Sequence, residues 1–310
     1  MTKLPKLKLL LLAAFLACGS MVNAQLPNEK FGKPSNMEWE FAGWGKAVDA
    51  DAIILCKTMK VTYQISDQAD NYNKSDSDVS IEHLDDFGKN DIDEGNTLVK
   101  YEVRLRTKIM KPDGAQHANI DITCFNADDN YRINHDELSD LKITVFSKNE
   151  KGKVEKRKVN IKDFAQERID SNYVVMHVTV PDVQSGSIIE YQYNITSTRP
   201  QFLYDWLFKE SIPTVHSKCD IDIPAFLKFN MNVPINKLIK SSVKAGRLAY
   251  DTNRSDLKRG KTCFTNHYEI VGDYILPDDE EIAPFTSRIA MPNVSLPAFM
   301  PEGHTHLRVK

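Results

Sequence analysis

The sequence predicts a mostly β protein: an antiparallel β-sandwich with a few short accessory helices. Three observations predict it. "TLVKYEVRLRTKIMK", from Thr97, alternates Val99, Tyr101, Val103 and Leu105 with Lys100, Glu102, Arg104 and Arg106. That period of two marks a half-buried strand. "VVMHVTVPDVQSGSIIEYQYNITS", Val174 to Ser197, alternates in the same way around a short turn. Many further short runs of this kind are separated by turn signals such as "KPDG" and "SKNEKG", the pattern of sandwiches.

The first residues form a basic start, Lys3, Lys6 and Lys8, followed by an apolar run from Leu9 to Ala17 and the small-residue site Val22-Asn23-Ala24. This reads as a secretory signal peptide over residues 1–24, cut after Ala24, because the run is too short to span a bilayer. The rival reading, lipid attachment at Cys18, is disfavoured by the bulk of Phe15. No later segment is apolar enough to span a membrane. Removing three lysines takes the net charge from −3 to −6. Neither the charge nor the export signal suits nucleic-acid binding.

Residues 25–283 are expected to form the sandwich domain. A short helix is expected near Met37 to Ala42, and another over Asp49 to Lys57 leading into the strand "TMKVTYQI". Residues 66–96 carry ten Asp/Glu against two Lys, net −8, and read as a solvated acidic loop. "ANIDITCF" reads as the return strand from the Pro-Asp-Gly turn, and "LKITVFSKNEKGKVEKRKV" as a hairpin turning at Asn149 to Gly152. "IKDFAQERID" reads as a loop or helical turn. Val174 to Ile195 is expected to form one antiparallel hairpin, with Ile189, Tyr191, Tyr193 and Ile195 inward and Glu190, Gln192 and Asn194 in water. Strands follow at Ser211 to Ile221, Leu227 to Val233, Arg247 to Tyr250 and Thr262 to Val271, with a short helix at "INKLIKSSV". Four prolines within 284–301 mark residues 284–310 as an extended tail or truncated linker.

"KFGKPSNMEWE", "DADAIILCKTMKVTYQI", "HVTVPDVQSGSIIEYQYNITS" and "DWLFKESIPTVHSKCDIDIP" occur in this order. Together they make the chain resemble, from about Phe31 to Phe299, a domain family of unknown function in secreted Gram-negative bacterial proteins. The block Pro181-Asp182-Val183-x-x-Gly186-x-Ile188-Ile189-Glu190-Tyr191 and the aromatic pair Trp206 and Phe208 are its most specific pieces. The resemblance implies a β-sandwich module that usually precedes a transglutaminase-like domain. The sequence stops where that domain would begin, which reads as a natural stand-alone form or as a truncation.

Transglutaminase-like chemistry needs a thiolate, a histidine base and an orienting carboxylate. "CFTNHYE" offers Cys263 and His267, but on a strand these stand roughly 13 Å apart, beyond hydrogen-bond reach. "SDLKRGKT" has Ser255 where a phosphate loop needs its leading Gly. The other cysteines left after signal removal, Cys56, Cys124 and Cys219, are read mainly as small buried apolar residues, although an exported chain could pair them. Asp91 and Asp93 have the alternating spacing that lets carboxylates converge on calcium, but lack the rest of an EF-hand loop. His304 and His306 lack visible partner ligands. Tyr204, Trp206 and Phe208, with Phe202, fall on alternate positions and are the candidate binding ledge for peptide or sugar; the competing reading is one side of the core. No cofactor is expected. The functional expectation is an exported non-catalytic module binding a partner protein, peptide or glycan. Its rivals are the N-terminal fragment of a transglutaminase-like enzyme and a calcium-stabilised adhesion module.

Overall fold

Strand β1 (Ala52–Ile65) sets the geometry of the chain. Its ladder with β2 (Thr97–Ile109) bulges between Ile54 and Cys56. With a side-chain period of two, one extra residue flips every later side chain to the other face. The core positions accordingly switch from Ala52 and Ile54 to Met59, Val61 and Tyr63. The expected helix over Asp49 to Lys57 is therefore replaced. A 3-10 turn, Gly45–Asp49, ends before the strand begins, and the apolar run Ala52 to Cys56 serves both faces of a sheet rather than one face of a helix.

The computed structural model describes residues 29–65, 97–126, 136–160, 165–224, 227, 229–250, 261–279 and 282–289. The expected signal peptide, the acidic loop with Asp91 and Asp93, Ser255 to Gly260 of the rejected phosphate loop, and His304 and His306 lie outside them. The remaining strands are β3 (Ile120–Phe125), β4 (Asp136–Lys148), β5 (Val154–Lys158), β6 (Ala165–Arg168), β7 (Tyr173–Val178), β8 (Ile188–Ser197), β9 (Thr214–Pro224), β10 (Phe229–Asn232), β11 (Ile239–Tyr250), β12 (Lys261–Ile275) and β13 (Thr286–Ile289). The α-helix α1 spans Asn36–Glu40, close to its expected place. A second 3-10 helix, Pro112–Ala118, occupies the Pro-Asp-Gly turn.

The main sheet has the order β11-β12-β9-β1-β2-β8-β4-β5, and smaller sheets are β3-β7-β6 and β10-β13. The fold is mostly β with several sheets and no closed barrel. It is not purely antiparallel, because β1 and β9 pair in parallel. One apolar core joins the inner face of the main sheet (Met59, Val103, Tyr193, Ile221) to Ile120, Ile122 and Val178 of the three-stranded sheet.

The expected hairpin from Val174 to Ile195 is not one. β7 pairs with β3 and β6, while β8 pairs with β2 and β4. The block Pro181 to Tyr191 is the crossing between the two sheets. Gly186, at φ +84°, donates to Ile109 O, and Ile109 N donates to Ser187 O. Only glycine adopts that backbone without strain. Both β7 and β8 alternate, and each meets the core, so periodicity alone could not tell two sheets from one. Likewise β3, expected to return alongside β2, pairs with β7 in the three-stranded sheet. "IKDFAQERID" contributes the edge strand β6, and "INKLIKSSV" begins β11 after a turn at Asn236. The hairpin β4–β5 turns at Asn149 to Gly152 as expected. The fold runs past the expected boundary at 283: Phe285 is fully buried and bridges Trp206, and β13 follows. No helix among the described residues is long and apolar enough to cross a membrane.

Candidate functional site

The face of the main sheet away from the core carries most of its charge. A segment from Glu29 to Asp49 crosses one end of this face; at the other, more open end the charged side chains are partly exposed among the described residues. At the covered end α1 is held by a capping box: Ser35 N donates to Glu38 Oε2 at 2.6 Å, and Glu38 N to Ser35 Oγ at 3.3 Å. The other oxygen of Glu38 accepts from Arg106. Arg106 Nη2 also donates to Glu190 Oε1 and to Lys30 O, each at 2.7 Å. Gly32 N sits 2.8 and 2.9 Å from the two oxygens of Glu190, at φ +99°. The Phe31 ring lies 5.1 Å from the Arg106 guanidinium.

Arg106 is wholly buried, and Glu38 and Glu190 nearly so. Burial works against the charge of Arg106, but hydrogen bonds and the fields of Glu190 and Glu38 outweigh it, raising its pKa. Beside the triad, Lys108 Nζ donates to the carbonyls of Glu38, Trp39 and Phe41 at 3.2, 2.7 and 2.8 Å. An ammonium has three donors, and all three are satisfied at the C-terminal end of α1. Apolar Ile53, Leu55, Phe146 and Ile188 pack beneath Ala47 with Trp39, Phe41 and Trp44. Glu190, expected in water, is thus a buried ion-pair partner. The sequence places Glu190 and Arg106 only on the polar faces of their strands; that they are direct cross-strand partners emerges from the β2–β8 register.

At the open end β9 and β12 present Lys218, Asp220 and Asp222 against Glu269 and His267. Asp220 pairs with Glu269 in register, and Asp222 with His267. His267 Nδ1 is 2.9 Å from Asp222 Oδ1. Lys218 Nζ is 3.2 Å from Asp220 and 4.0 Å from both Glu269 and Glu29. One ligand atom each from Asp220, His267 and Glu269 lies within 4.8 Å of the others. Burial raises the pKa of Asp220, and Lys218 only partly opposes this. Glu29 joins the two ends, reaching both His216 and Lys218.

The aromatic candidates lie elsewhere. Tyr204, Trp206 and Phe208 are 6, 5 and 0% exposed and belong to the core. The candidate ledge is thus an interior segment, in line with the competing core reading, and its polar atoms find partners inside: Tyr204 hydroxyl donates to Asp136, and Trp206 Nε1 to Ser217 Oγ at 3.0 Å. Lys57 stands 4.4 Å over the Trp206 ring. Phe202 alone of the four keeps an exposed ring.

Cys56, Cys124 and Cys219 are free and buried. Burial pushes the thiols of Cys56 and Cys124 up to about 12 and raises that of Cys219. His267 pairs with Asp222 rather than with any of these three thiols. His177, on the three-stranded sheet, lies between Asp121 at 2.7 Å and Glu167 at 3.2 Å.

No curated protein matches the chain. Among solved structures it is similar to the crystal structure of a "putative protease" from Parabacteroides distasonis ATCC 8503. Identity is 13% and the TM-score 0.45, over 78% of this chain and 41% of that one. The chain thus spans less than half of that protein's length. The family described as a domain of unknown function with a solved structure, DUF3857, matches residues 96–261, from the start of β2 to the start of β12. That match takes in Arg106, Glu190, Lys218, Asp220 and Asp222 and covers more than half of the 310 residues, so the chain belongs to the DUF3857 family.

Proposed function

We propose that this chain is an exported, non-catalytic β module that binds a partner protein, peptide or glycan. Export rests on the basic, apolar and small-residue order of residues 1–24. The observation that carries the non-catalytic part is the state of three of the four thiols left after signal removal. A nucleophilic cysteine needs a lowered pKa and access. Cys56, Cys124 and Cys219 have raised pKa values and are buried. The binding part is supported by the open polar end of the main sheet, whose side chains are held in register by β1, β9 and β12. The family resemblance adds that such a module accompanies a transglutaminase-like domain, which makes that domain a natural partner.

The test is alkylation of the exported chain with iodoacetamide, read by intact mass, beside casein hydrolysis and amine-incorporation assays. The expected result is that Cys56, Cys124 and Cys219 stay unmodified until denaturant is added, and that neither assay shows turnover. Turnover abolished by alkylation under native conditions would overturn the reading.

A further inference from the structure

We propose that Asp220, His267 and Glu269 bind one divalent cation of the zinc class, with Asp222 orienting the histidine. The inference goes beyond the binding role above and does not depend on it.

The placement follows from strand register. Asp220 and Glu269 are cross-strand partners, and His267 is two residues along β12 from Glu269 on the same face. A pleated sheet thereby brings the three donors together without any loop. Their ligand atoms lie within 4.8 Å of one another. Donors bound to zinc at about 2.0–2.2 Å stand roughly 3–4 Å apart, so side-chain rotation of the order of 1 Å closes the set. All three side chains are partly exposed and able to make that adjustment.

Two independent features favour a cation. Asp220 Oδ1 is shielded from solvent and has no hydrogen-bond partner, a costly state for a carboxylate oxygen. His267 Nδ1 faces Asp222 Oδ1 at 2.9 Å. A proton on Nδ1, donated to Asp222, leaves the Nε2 lone pair for a metal. This is the carboxylate–histidine arrangement that fixes tautomer and raises ligand basicity. The local charge points the same way: Asp220, Glu269 and Glu29 share one ammonium, that of Lys218, and Asp222 adds a further carboxylate beside His267. Lys60 and Lys244 flank Asp220 and His267 in register but are exposed. An imidazole with two carboxylates and room for water suits zinc, whereas calcium takes six to eight oxygens.

Lys218 stands in the position of a competing cation, 3.2 Å from Asp220. Its removal should therefore strengthen metal binding. The experiment is isothermal titration of the full chain with zinc after chelator treatment. A second readout is the visible spectrum of the cobalt-loaded chain. The expected result is one zinc per chain. His267→Ala should abolish it, Asp222→Asn should weaken it about 10–100-fold, and Lys218→Met should tighten it. His177→Ala, on the other sheet, should leave it unchanged. Cobalt should show d–d bands without a thiolate charge-transfer band. Unchanged zinc binding in folded His267→Ala, a thiolate band, or weaker binding in Lys218→Met would each overturn the proposal.

Discussion

The two ends of the outer sheet face use the same chemistry in opposite ways. At the covered end one guanidinium meets two carboxylates out of water, and Phe31, Gly32 and Lys30 complete the enclosure. At the open end one ammonium is shared by three carboxylates in partial contact with solvent. Ions removed from water are tolerated only when paired and hydrogen-bonded on every side. In the covered triad both terminal nitrogens of Arg106 are bonded, to Glu38, Glu190 and the Lys30 carbonyl, which ties residues 30–38 to β2 and β8. The open cluster does not have to meet that demand, because its side chains stay partly exposed to water.

The sharpest way to break this contrast is to remove Arg106. Arg106→Met should leave Glu38 and Glu190 buried and unpaired, costing about 3–5 kcal/mol in denaturant unfolding. Adding Glu38→Gln and Glu190→Gln should recover much of that loss. If Arg106→Met alone is neutral, the triad does not anchor the segment. Next in size, Phe31→Ala removes the aromatic face over Arg106 and should cost about 1–2 kcal/mol. Faster amide exchange between Lys30 and Phe41 should report it. Lys218→Met, at the open end, should change stability by less than about 1 kcal/mol; a loss as large as that of Arg106→Met would erase the distinction.

The smallest effect is in acid. The pKa of Asp220 is raised in the folded chain, chiefly by burial. The folded state therefore holds this proton more tightly than the unfolded state. Its destabilising contribution is complete above the folded pKa and is relieved as pH falls through it. Relative to wild type, Asp220→Asn should be the more stable variant at neutral pH. That advantage, under about 1 kcal/mol because Asp220 is partly exposed, should vanish on acidification toward the ordinary carboxylate range. An advantage that instead grows in acid would contradict it.

The sequence by itself determined most of the strands, though not β6 or the starts of β1 and β11, together with the β4–β5 hairpin and the inward and outward faces of β2 and β8, because a period of two survives in any environment that is wet on one side. It also marked the Pro181 to Tyr191 block. Tertiary structure alone decided which strands pair. β7 and β8 read as one hairpin and lie in two sheets, since local alternation carries no information about the neighbour across the ladder. It also decided which charges are buried. Glu190 and Gln192 occupy equivalent positions in β8, yet only Glu190 lies beneath the segment at Gly32. The same holds for Tyr204, Trp206 and Phe208, whose burial depends on Asp136 and Ser217 being near enough to satisfy them. The meeting of Asp220 with His267 and Glu269 follows from the β9–β12 register. Register is set by packing over the whole sheet, so residues separated by dozens of positions become neighbours only once the chain has folded.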